Sequence, residues 1–545
     1  MTYAPPVSDI RFLLEHVLEY QNLPQAAALD LDTVTAILEE AARLASEVLA
    51  PLNQTGDQLG AKLEEGTVTT APGFKDAYAQ YRDGGWNAVP FPEEFGGQEL
   101  PWALAFPVQE MWQGANLSFG LCPLLNQGAV DAILEHGSPE QKSFYLPKLI
   151  SGEWTGTMNL TEPQAGSDLA AVKSRAEPQA DGSYKIFGQK IFITYGEHDL
   201  SENIIHLVLA RLPDAPEGVK GISLFIVPKF LEDGTRNDLV CTGLEHKLGI
   251  HASPTCTMQF GETGGATGYL VGTAHQGIKY MFTMMNNARL SVGLQGVALA
   301  ERATQKAVQF AAERIQGKDP VSGAPLTIDR HPDVRRMLLT MKSLTMAGRA
   351  MAYEAAVLLD KARAGDESAR TAGELLTPIV KSWCTDMACE VASIGVQVHG
   401  GMGFIEETGA AQYYRDARIL PIYEGTNGIQ ANDLLFRKIL RDEGTAVRHL
   451  YATLKSSLAQ VPDTEATMTL CGEVLERVLS EKDLEKLSFI AVPLLNGLAY
   501  LKAAELMIRI KNAQGDGDVA ALPEFFFTHL FPRATMFLTV VRNSL

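Results

Sequence analysis

The segment Tyr423-Glu424-Gly425-Thr426-Asn427-Gly428 places one carboxylate in a glycine-rich turn. An apolar stretch, Ile419 to Ile422, precedes the turn, and helical patterning follows it. A carboxyl group that loses contact with water has a raised pKa and can act as a base toward a weak carbon acid. Because a glutamate in an isolated loop is more often solvated and inert, this motif needs support from elsewhere in the chain. Glu424 is the candidate catalytic base.

A second motif with chemical potential runs from Met158 to Asp168. It combines the Thr161 hydroxyl, a turn fixed by proline and the pair Gly166-Ser167. Short hydroxyls and the backbone N–H groups of such a turn suit an anionic or electron-rich planar ligand that approaches closely. A tight loop that only connects two domains would have the same composition, so this motif alone leaves both readings open.

Several other chemistries lack their signatures in this sequence. It contains no GxxxxGK[ST] phosphate loop, no HExxH zinc helix and no GxSxG nucleophile elbow. Gly401-Met402-Gly403 resembles the start of a dinucleotide-binding motif, but glutamate occupies position 406 and a helical pattern precedes the glycines. His246 and His251 have no third ligand near them in the sequence, so we expect no metal site.

The elements that must position these motifs change character along the chain. Residues 8–150 carry helical patterning, interrupted by a turn-rich loop from Gly84 to Gly97, with a capped helix start at Ser138. Residues 155–265 hold short apolar runs bounded by turns, which favours a β-sandwich or β-barrel over a parallel sheet. Long helical patterns return from residue 268 and continue to the end.

We therefore expect a mainly α fold with a central β domain. The predicted domains are an N-terminal helical extension (1–35), an N-terminal helical domain (36–155), a β-barrel or sandwich domain (156–267), a helical bundle with the catalytic loop (268–440) and an extra C-terminal helical domain (441–545). We expect the last domain to pack against the main body or a subunit and to contribute to a homodimer.

Composition and charge narrow the class of protein. Of 545 residues, 46% are hydrophobic and 20% are charged, as in ordinary globular proteins. Lys plus Arg number 46 against 65 Asp plus Glu, a formal net charge of −19, which argues against nucleic acid as a partner. The six cysteines are scattered and form no CxxC pair, which indicates a reducing compartment. Without a recognisable leader or an apolar run of about 18 or more residues, we expect a cytoplasmic protein with no membrane span.

Taken together, the motifs resemble the acyl-CoA dehydrogenase family. The matching segments, in order, are Trp86 with Pro92 to Gly97 (the N-terminal loop), 161–168 (Thr-Glu-Pro-x-Ala-Gly-Ser-Asp), Phe192-Ile193-Thr194 (the Trp-Ile-Thr strand), 397–403 (Gln-x-x-Gly-Gly-x-Gly) and 423–426 (the catalytic loop). Their order and spacing fit the family over about residues 36–440. The N-terminal extension and the extra C-terminal helices resemble a longer bacterial branch of that family.

The resemblance implies a helical domain, a β domain and a four-helix bundle, with FAD bound between the β domain and the bundle. Met158, Leu160, Thr161, Gly166 and Ser167 would line the isoalloxazine and phosphate side. Phe192 and Thr194 would cover the ring, with Thr194 near the flavin N5. The remaining FAD contacts would be Arg314, Gln316, Gln397, Gly400 and Gly401, toward the FAD of a neighbouring subunit, and Thr426, Asn427 and Gly428.

The resemblance also implies contacts with the substrate. Asn286 and Arg289, three residues apart on a long helix, match positions that contact coenzyme A in the family, although an arginine on a helix is as readily explained as a solvated residue. Ser167, Tyr423 and Gly425 would contact the acyl thioester.

The reaction implied by the resemblance is the α,β-dehydrogenation of an acyl-CoA of short to medium chain length. The backbone N–H of Glu424 and a flavin ribityl hydroxyl would bind the thioester carbonyl oxygen and stabilise the developing enolate. Glu424 would remove the pro-R α-proton, and the β-hydrogen would leave as hydride to the flavin N5, which gives the trans-2-enoyl-CoA. Reduced flavin would pass its electrons to electron-transfer flavoprotein.

Three departures from the family pattern concern the cofactor side. Phe192 replaces the usual tryptophan, the segment Arg314 to Gly317 lacks the phenylalanine of Arg-x-x-Phe-Gly, and Gly428 stands where many members have glutamine.

Other functions fit the same motifs. They are a longer-chain acyl-CoA dehydrogenase, an acyl-CoA oxidase with oxygen as acceptor, which the lack of a C-terminal Ser-Lys-Leu disfavours, and a non-catalytic member of the fold that acts in binding or assembly. A non-catalytic member would not need to keep Glu424.

Overall fold

The computed structural model describes residues 3–26, 29–319, 321–515 and 517–545, with the side chains of Asn286 and Asp518 excepted. Within them lie the helices α1 (Val7–Phe12), α2 (Leu31–Leu44), α3 (Leu52–Leu59), α4 (Phe74–Asp83), α5 (Trp102–Ala115), α6 (Leu117–His136), α7 (Pro139–Ser151), α8 (Gly277–Glu313), α9 (Pro332–Arg363), α10 (Glu367–His399), α11 (Ala410–Ala417), α12 (Asn427–Asn432), α13 (Thr445–Leu458), α14 (Glu465–Ser480), α15 (Leu484–Asn512), α16 (Asp518–His529) and α17 (Pro532–Ser544). The strands are β1 (Lys62–Glu64), β2 (Thr67–Thr69), β3 (Trp154–Asn159), β4 (Arg175–Pro178), β5 (Tyr184–Thr194), β6 (Asn203–Arg211), β7 (Ile222–Pro228), β8 (Leu239–Leu244), β9 (Thr255–Phe260), β10 (Ala266–Leu270), β11 (Ile315–Lys318) and β12 (Pro325–Thr327).

The chain forms two compact units. The helical unit contains residues Met1–Ala45, Pro101–Gly114 and Arg289–Leu545, and the β-containing unit contains Ser46–Leu100 and Ala115–Ala288. Helix α8 starts in the β-containing unit and ends in the helical unit. The candidate catalytic loop belongs to the helical unit, and the motif at 158–168 belongs to the β-containing unit.

The β-containing unit is built on a mostly antiparallel sheet that closes on itself. The strands follow the order β10-β7-β6-β4-β5-β9-β8, and β10 also pairs with β5, which completes a ring of pairings. Strands β6 and β7 are buried along nearly their whole length, as expected for strands covered on both faces. Strand β3 pairs in parallel with β6 and delivers the loop that starts at residue 160. The predicted mainly α fold with a β-barrel or sandwich is therefore confirmed.

The helical unit is organised by the long helices α8, α9 and α10. The connection between α9 and α10 is so short that the two helices form a hairpin, and the Asp366 side chain caps α10 by accepting from the N–H groups of Ser368 and Ala369. Gly293 and Gly296 let α8 lie directly on the α10 backbone. A Cβ at Gly296 would stand only 2.4 Å from the Cys384 carbonyl oxygen, so a larger residue there would force the helices apart.

A buried charge cluster connects helices α5, α8 and α9. The Arg349 guanidinium of α9 donates to Glu110 of α5 at 2.7 Å and to Glu301 of α8 at 2.7 Å. The Tyr353 hydroxyl donates to the second Glu110 oxygen at 2.6 Å. The side chains of Arg349 and Glu110 are 1% and 0% exposed, so each charge depends on the other for its solvation.

The extra C-terminal helices pack against the main body of the helical unit. Lys502 of α15 is paired with Glu354 of α9 at 2.6 Å and with Glu505 at 2.8 Å, and its side chain is 8% exposed. Arg533 of α17 makes two hydrogen bonds to the Glu390 carboxylate of α10, at 2.8 and 2.7 Å. Packing against the main body is thus observed, whereas the contribution of this domain to a homodimer stays a prediction, as do the domain boundaries.

The structure differs from the sequence prediction in two hairpins. Residues 8–150 are not uniformly helical, because β1 and β2 form a short antiparallel pair at Lys62–Thr69. Helix α8 ends at Glu313, and the predicted FAD residue Gln316 lies on β11, which pairs with β12. Both hairpins contain glycine turns with positive φ, Gly66 and Gly323, but their strands are too short for a clear alternation of polar and apolar residues. The predicted cap at Ser138 is confirmed, with a complete capping box to Gln141.

Among the described residues, two helices are long and apolar enough, by length and composition, to cross a membrane. They are α6 and α15, and 94% and 72% of their apolar windows are buried inside the protein, as in core helices.

The buried charge cluster gives a prediction about stability. Replacing Arg349 by alanine should lower the free energy of unfolding by about 3–5 kcal/mol, because Glu110 and Glu301 would be left without their counter-ion. The matched control is Arg370→Ala, which removes an exposed pair with Glu367 and should cost less than about 1 kcal/mol. Urea denaturation of both variants tests this, and equal midpoints would contradict it.

Candidate active site

The candidate catalytic loop has an unusual backbone at Glu424. Its φ is +54°, in the left-handed region, and the following Gly425 has φ +83°. Glycine adopts this region freely, but a glutamate there is strained, and such strain clusters at functional positions. The Thr426 side chain then accepts from the N–H of Ile429 at 3.3 Å and caps helix α12. The loop thus projects Glu424 from a short turn directly before a helix.

Gln430 holds this turn in place through its side-chain amide. Its side chain is fully buried, and its Nε2 donates to the carbonyl oxygens of Glu424 at 3.4 Å and Gly425 at 3.2 Å. A Cβ at Gly425 would stand 2.8 Å from the same nitrogen, so a larger residue there would displace the Gln430 amide. Gln430 was not predicted from the sequence, where nothing separates it from an ordinary helical glutamine.

Tyr423, a predicted substrate residue, is anchored on α8. Its hydroxyl donates to Gln295 Oε1, and Gln295 Nε2 donates to Gln113 Oε1 of α5 at 3.2 Å. Burial, and then the neighbouring Glu424 charge, raises the pKa of Tyr423 well above its ordinary value, so the phenol stays neutral. These bonds fix the residue that precedes the candidate base.

The charge state of Glu424 depends on opposing effects. Burial raises the pKa of Glu424 above its ordinary value, whereas the Arg289 guanidinium and the Lys381 ammonium lower it. A carboxyl group whose pKa is raised but whose ionised form still has positive neighbours can hold a proton or release it. This is the electrostatic setting that a general base requires.

Arg289, a predicted coenzyme A residue, is not solvated. Its side chain is 4% exposed, and its Nη1 donates to Asp433 Oδ2 at 3.2 Å. The alternative of a solvated surface arginine is therefore wrong, while a role toward coenzyme A stays a prediction. The side chain of Asn286, its predicted companion, lies outside the described residues.

Asn427 bonds to helix α10 through both ends of its amide. Its Oδ1 accepts from Lys381 Nζ at 2.9 Å, and its Nδ2 donates to Ser382 O at 3.1 Å and Asp386 Oδ1 at 2.8 Å. Lys381 was missed in the sequence, although it was visible there as a single charge within the apolar helical run Pro378 to Trp383.

In the β-containing unit, Met158, Leu160, Thr161, Gly166 and Ser167 lie on β3 and the loop that follows it. The loop is anchored by Glu162, whose carboxylate accepts from Lys190 Nζ at 2.8 Å, Ser174 Oγ at 2.6 Å and the Lys173 N–H at 2.7 Å. Glu162 and Lys190 are 3% and 0% exposed. Although burial opposes it, the Lys190 charge and these hydrogen bonds lower the pKa of Glu162 to about 2, and burial lowers the pKa of Lys190 to about 8.

The same anchoring brings the 158–168 motif next to the end of β5. The Ile191 N–H donates to Thr161 O at 3.0 Å, and Thr157 Oγ1 donates to Thr194 O at 2.7 Å. Phe192, between them, has a left-handed backbone with φ +60°, and its ring is 58% exposed. A strained residue that presents a flat apolar ring beside hydroxyl-bearing residues fits the stacking surface and the short donors that a flavin ring requires.

The remaining predicted cofactor residues of the helical unit lie at its surface. Arg314, Gln316, Gln397, Gly400 and Gly401 are exposed, and Gly428 is exposed on the first turn of α12. A Cβ at Gly400 or Gly401 would meet no atom within 4 Å. Exposure and open space at these positions are compatible with contacts to a cofactor, and their roles stay predictions.

Comparison with known proteins identifies the family. The acyl-CoA dehydrogenase N-terminal domain matches residues 32–153, the middle domain matches 157–263 and the C-terminal domain matches 275–438. The chain belongs to the acyl-CoA dehydrogenase family and is an oxidoreductase.

Relatives narrow the position of the chain within that family. The 3-methylmercaptopropionyl-CoA dehydrogenase of Ruegeria pomeroyi is 53% identical over 88% of this chain and 82% of the relative. A butyryl-CoA dehydrogenase of Syntrophomonas wolfei is 36% identical over 93% of this chain and 88% of the relative. The crystal structure of an acyl-CoA dehydrogenase complexed with FAD from Bacillus anthracis matches with a TM-score of 0.77 at 22% identity, over 97% of this chain and 91% of that chain. The predicted family and its longer bacterial branch are confirmed.

The buried Glu162–Lys190 pair yields a second stability prediction. Glu162→Gln should lower the free energy of unfolding at neutral pH by about 3–5 kcal/mol, because Lys190 would lose its counter-charge. Since the folded-state pKa of Glu162 lies near 2, below the ordinary value, the stabilisation is present above pH of about 4.5 and disappears as pH falls toward 2. The variant and the wild type should therefore converge at acid pH.

Thermal or urea denaturation across this pH range is the measurement. Glu177→Gln, which removes an exposed pair with Arg175 in the same unit, is the matched control and should change stability by less than about 1 kcal/mol. A deficit of Glu162→Gln that did not shrink at low pH would count against the assigned charge pair.

Proposed function

We propose that this protein catalyses the FAD-dependent α,β-dehydrogenation of an acyl-CoA thioester, with Glu424 as the base. The observation that carries the proposal is the environment of Glu424 in a family of known reaction type. Its backbone is strained, Gln430 and Tyr423 fix the loop around it, and its pKa is raised by burial while Arg289 and Lys381 favour the ionised form. A solvated loop glutamate would lack the raised pKa and the two neighbouring cations.

The chain's own residues divide the work on the substrate. The backbone N–H of Glu424 donates to the thioester carbonyl oxygen, which makes the α-hydrogen more acidic. The Glu424 carboxylate then takes the α-proton. Tyr423, Gly425 and Ser167 line the acyl thioester, and Arg289 and Asn286 contact coenzyme A. The product is the trans-2-enoyl-CoA.

FAD is the cofactor that the residues fit, and when bound it supplies the acceptor for the β-hydrogen and its electron pair. On the β-containing unit, Phe192 and Thr194 would cover its ring, while Met158, Leu160, Thr161, Gly166 and Ser167 would contact its isoalloxazine and phosphate side. The remaining contacts would come from Thr426, Asn427 and Gly428 and, toward the FAD of a neighbouring subunit, from Arg314, Gln316, Gln397, Gly400 and Gly401.

The proposed substrate is a short- to medium-chain acyl-CoA, with 3-methylmercaptopropionyl-CoA as the first candidate. Support comes from the 53% identity to a relative of that name. Two other relatives, each 36% identical, support other linear acyl chains as alternatives. They are a butyryl-CoA dehydrogenase and a broad-specificity linear acyl-CoA dehydrogenase of Mycobacterium tuberculosis. We further propose electron-transfer flavoprotein as the acceptor, a homodimer or homotetramer as the assembly and the cytoplasm as the location.

The substrate proposal predicts the outcome of an anaerobic titration. Purified protein with FAD should be bleached within seconds by its own substrate, because reduced flavin loses its absorbance in the blue. The panel is butyryl-, octanoyl-, isovaleryl- and 3-methylthiopropionyl-CoA, and we expect 3-methylthiopropionyl-CoA to act fastest. A yellow protein that none of these bleaches would contradict the substrate class, and a protein unable to bind FAD would favour the non-catalytic alternative. Rapid reoxidation by air with peroxide formation would favour the oxidase.

The base assignment predicts the effect of Glu424→Gln. Turnover should fall by a factor of about 10²–10⁴ or more while FAD stays bound, because the amide cannot accept the α-proton. In the wild type, kcat/KM should decrease as pH falls through the raised pKa of Glu424, at a pH above its ordinary value of 4.5.

A matched control is Glu443→Gln, since Glu443 is also a glutamate in left-handed backbone, with φ +56°, but is exposed. Its turnover should equal that of the wild type. Full activity in Glu424→Gln would refute the assignment of the base.

A further inference from the structure

Helix α10 makes a set of contacts with the catalytic loop that the reaction scheme does not use. Four positions on one side of the helix (381, 382, 385 and 386) bond to Asn427, three residues after Glu424. The Asn427 Oδ1 accepts from Lys381 Nζ at 2.9 Å. The Asn427 Nδ2 donates to Ser382 O at 3.1 Å, Thr385 Oγ1 at 3.0 Å and Asp386 Oδ1 at 2.8 Å. Helix α10 therefore binds both ends of the Asn427 amide, which fixes the orientation of the catalytic loop relative to this helix.

Lys381 is the buried cation of this set. Its side chain is 0% exposed, and such a residue in an apolar helix is costly unless it has a specific electrostatic partner. The charged groups that face it are Glu424 in the loop, Asp386 on its own helix and Arg289 on α8. Burial lowers the pKa of Lys381 to about 7, although Glu424 and Asp386 act in the opposite direction.

Arg289 is the other cation near Glu424, and it already has a carboxylate partner. Its guanidinium donates to Asp433 Oδ2 at 3.2 Å, and the exposed Arg437 lies 3.4 Å from the other oxygen of the same carboxylate. Asp433 therefore balances much of the Arg289 charge. Asp386, which faces Lys381, accepts a hydrogen bond from the Asn427 amide with one of its oxygens. The Lys381 charge is left facing Glu424 and Asp386 together.

We infer that Lys381 is a positioning residue for Glu424, which orients the catalytic loop through Asn427 and, as the buried cation facing the loop, keeps the Glu424 carboxylate ionised. The inference rests on the proposed function, since it assigns Lys381 a task only if Glu424 is the base. It adds a residue that acts on the reaction without contacting the reacting carbon atoms.

This assignment has a consequence for pH dependence. A cation close to a carboxylate favours the charged form, so removal of Lys381 must raise the pKa of Glu424 further. The bonds of Arg289 to Asp433 and of Tyr423 to Gln295 do not involve Lys381, so the shift reports the lysine itself. A lysine that only filled space in the helix packing could be replaced without moving this titration.

The test is a direct titration of the Glu424 carboxyl group by infrared difference spectroscopy. The carbonyl band that disappears in Glu424→Gln identifies the protonated Glu424, and it can be followed with pH without any turnover. In Lys381→Met, whose side chain has a similar length, we expect the midpoint to rise by about one pH unit. The acid limb of kcat/KM should move in the same direction by the same amount.

Two further variants complete the design. Lys438→Met removes the same charge from the same unit, at a partly exposed lysine paired with Glu374, and should leave the midpoint unchanged. Lys381→Gln removes the charge but keeps a donor for Asn427 Oδ1, so the Glu424 midpoint should rise as in Lys381→Met. This variant decides the question if Lys381→Met does not fold.

The outcomes separate this inference from the function on which it rests. If Lys381→Met is folded and has the wild-type midpoint and acid limb, or if Lys381→Gln leaves the midpoint unmoved, Lys381 is a structural residue. If no acyl-CoA bleaches the wild-type protein, or if Glu424→Gln keeps its turnover, the proposed function fails. The infrared midpoints would still report the Lys381–Glu424 interaction.

Discussion

One carboxyl group sets the requirements for much of the helical unit: Glu424 must be shielded from water and still be able to ionise. Shielding alone would leave it protonated at neutral pH, and full hydration would leave it a weak base. The structure reconciles the two by surrounding the loop with groups of fixed position and charge. Arg289 comes from α8, Lys381 from α10, and Gln430 from the helix that follows the loop. The close packing of α8 on α10 at Gly296 keeps the two positive side chains on the helices that flank this loop.

The β-containing unit solves a different problem, which is to keep an irregular loop rigid. Residues 160–168 have few partners in a regular sheet, so a buried ion pair and neighbouring hydrogen bonds to Glu162 take the place of strand pairing. Phe192 shows the result, since its strained backbone and exposed ring persist only because the strands on both sides hold it. In both units, much of the rigidity near the proposed site comes from side chains outside the proposed ligand contacts, such as Glu162, Lys190 and Gln430.

The sequence was most informative where a local pattern corresponds to one local structure. The Ser138 capping box, the long helices and the alternation of helical and β regions could be read directly, because each depends on neighbours in the chain. The motif around Glu424 also located the candidate base. The roles of Gln430, Lys381 and Asp433 could not be predicted from the sequence, since they depend on contacts between residues 6 to 144 positions apart. The short hairpins at β1–β2 and β11–β12 were missed because three or four residues cannot display a period.

The cap of helix α5 has a consequence for the order in which the chain can fold. The first N–H groups of this helix, at Trp102 and Ala103, are bound by the carboxylate of Asp360, which is synthesised more than 250 residues later. Glu110 on the same helix likewise pairs with Arg349, which is synthesised much later. As the chain leaves the ribosome, a strongly apolar helix therefore emerges long before its partners exist. Contacts of such high sequence separation form slowly, and an exposed apolar segment invites aggregation in the interval. Production of this protein should depend on chaperones that shield the N-terminal half until α9 has been made.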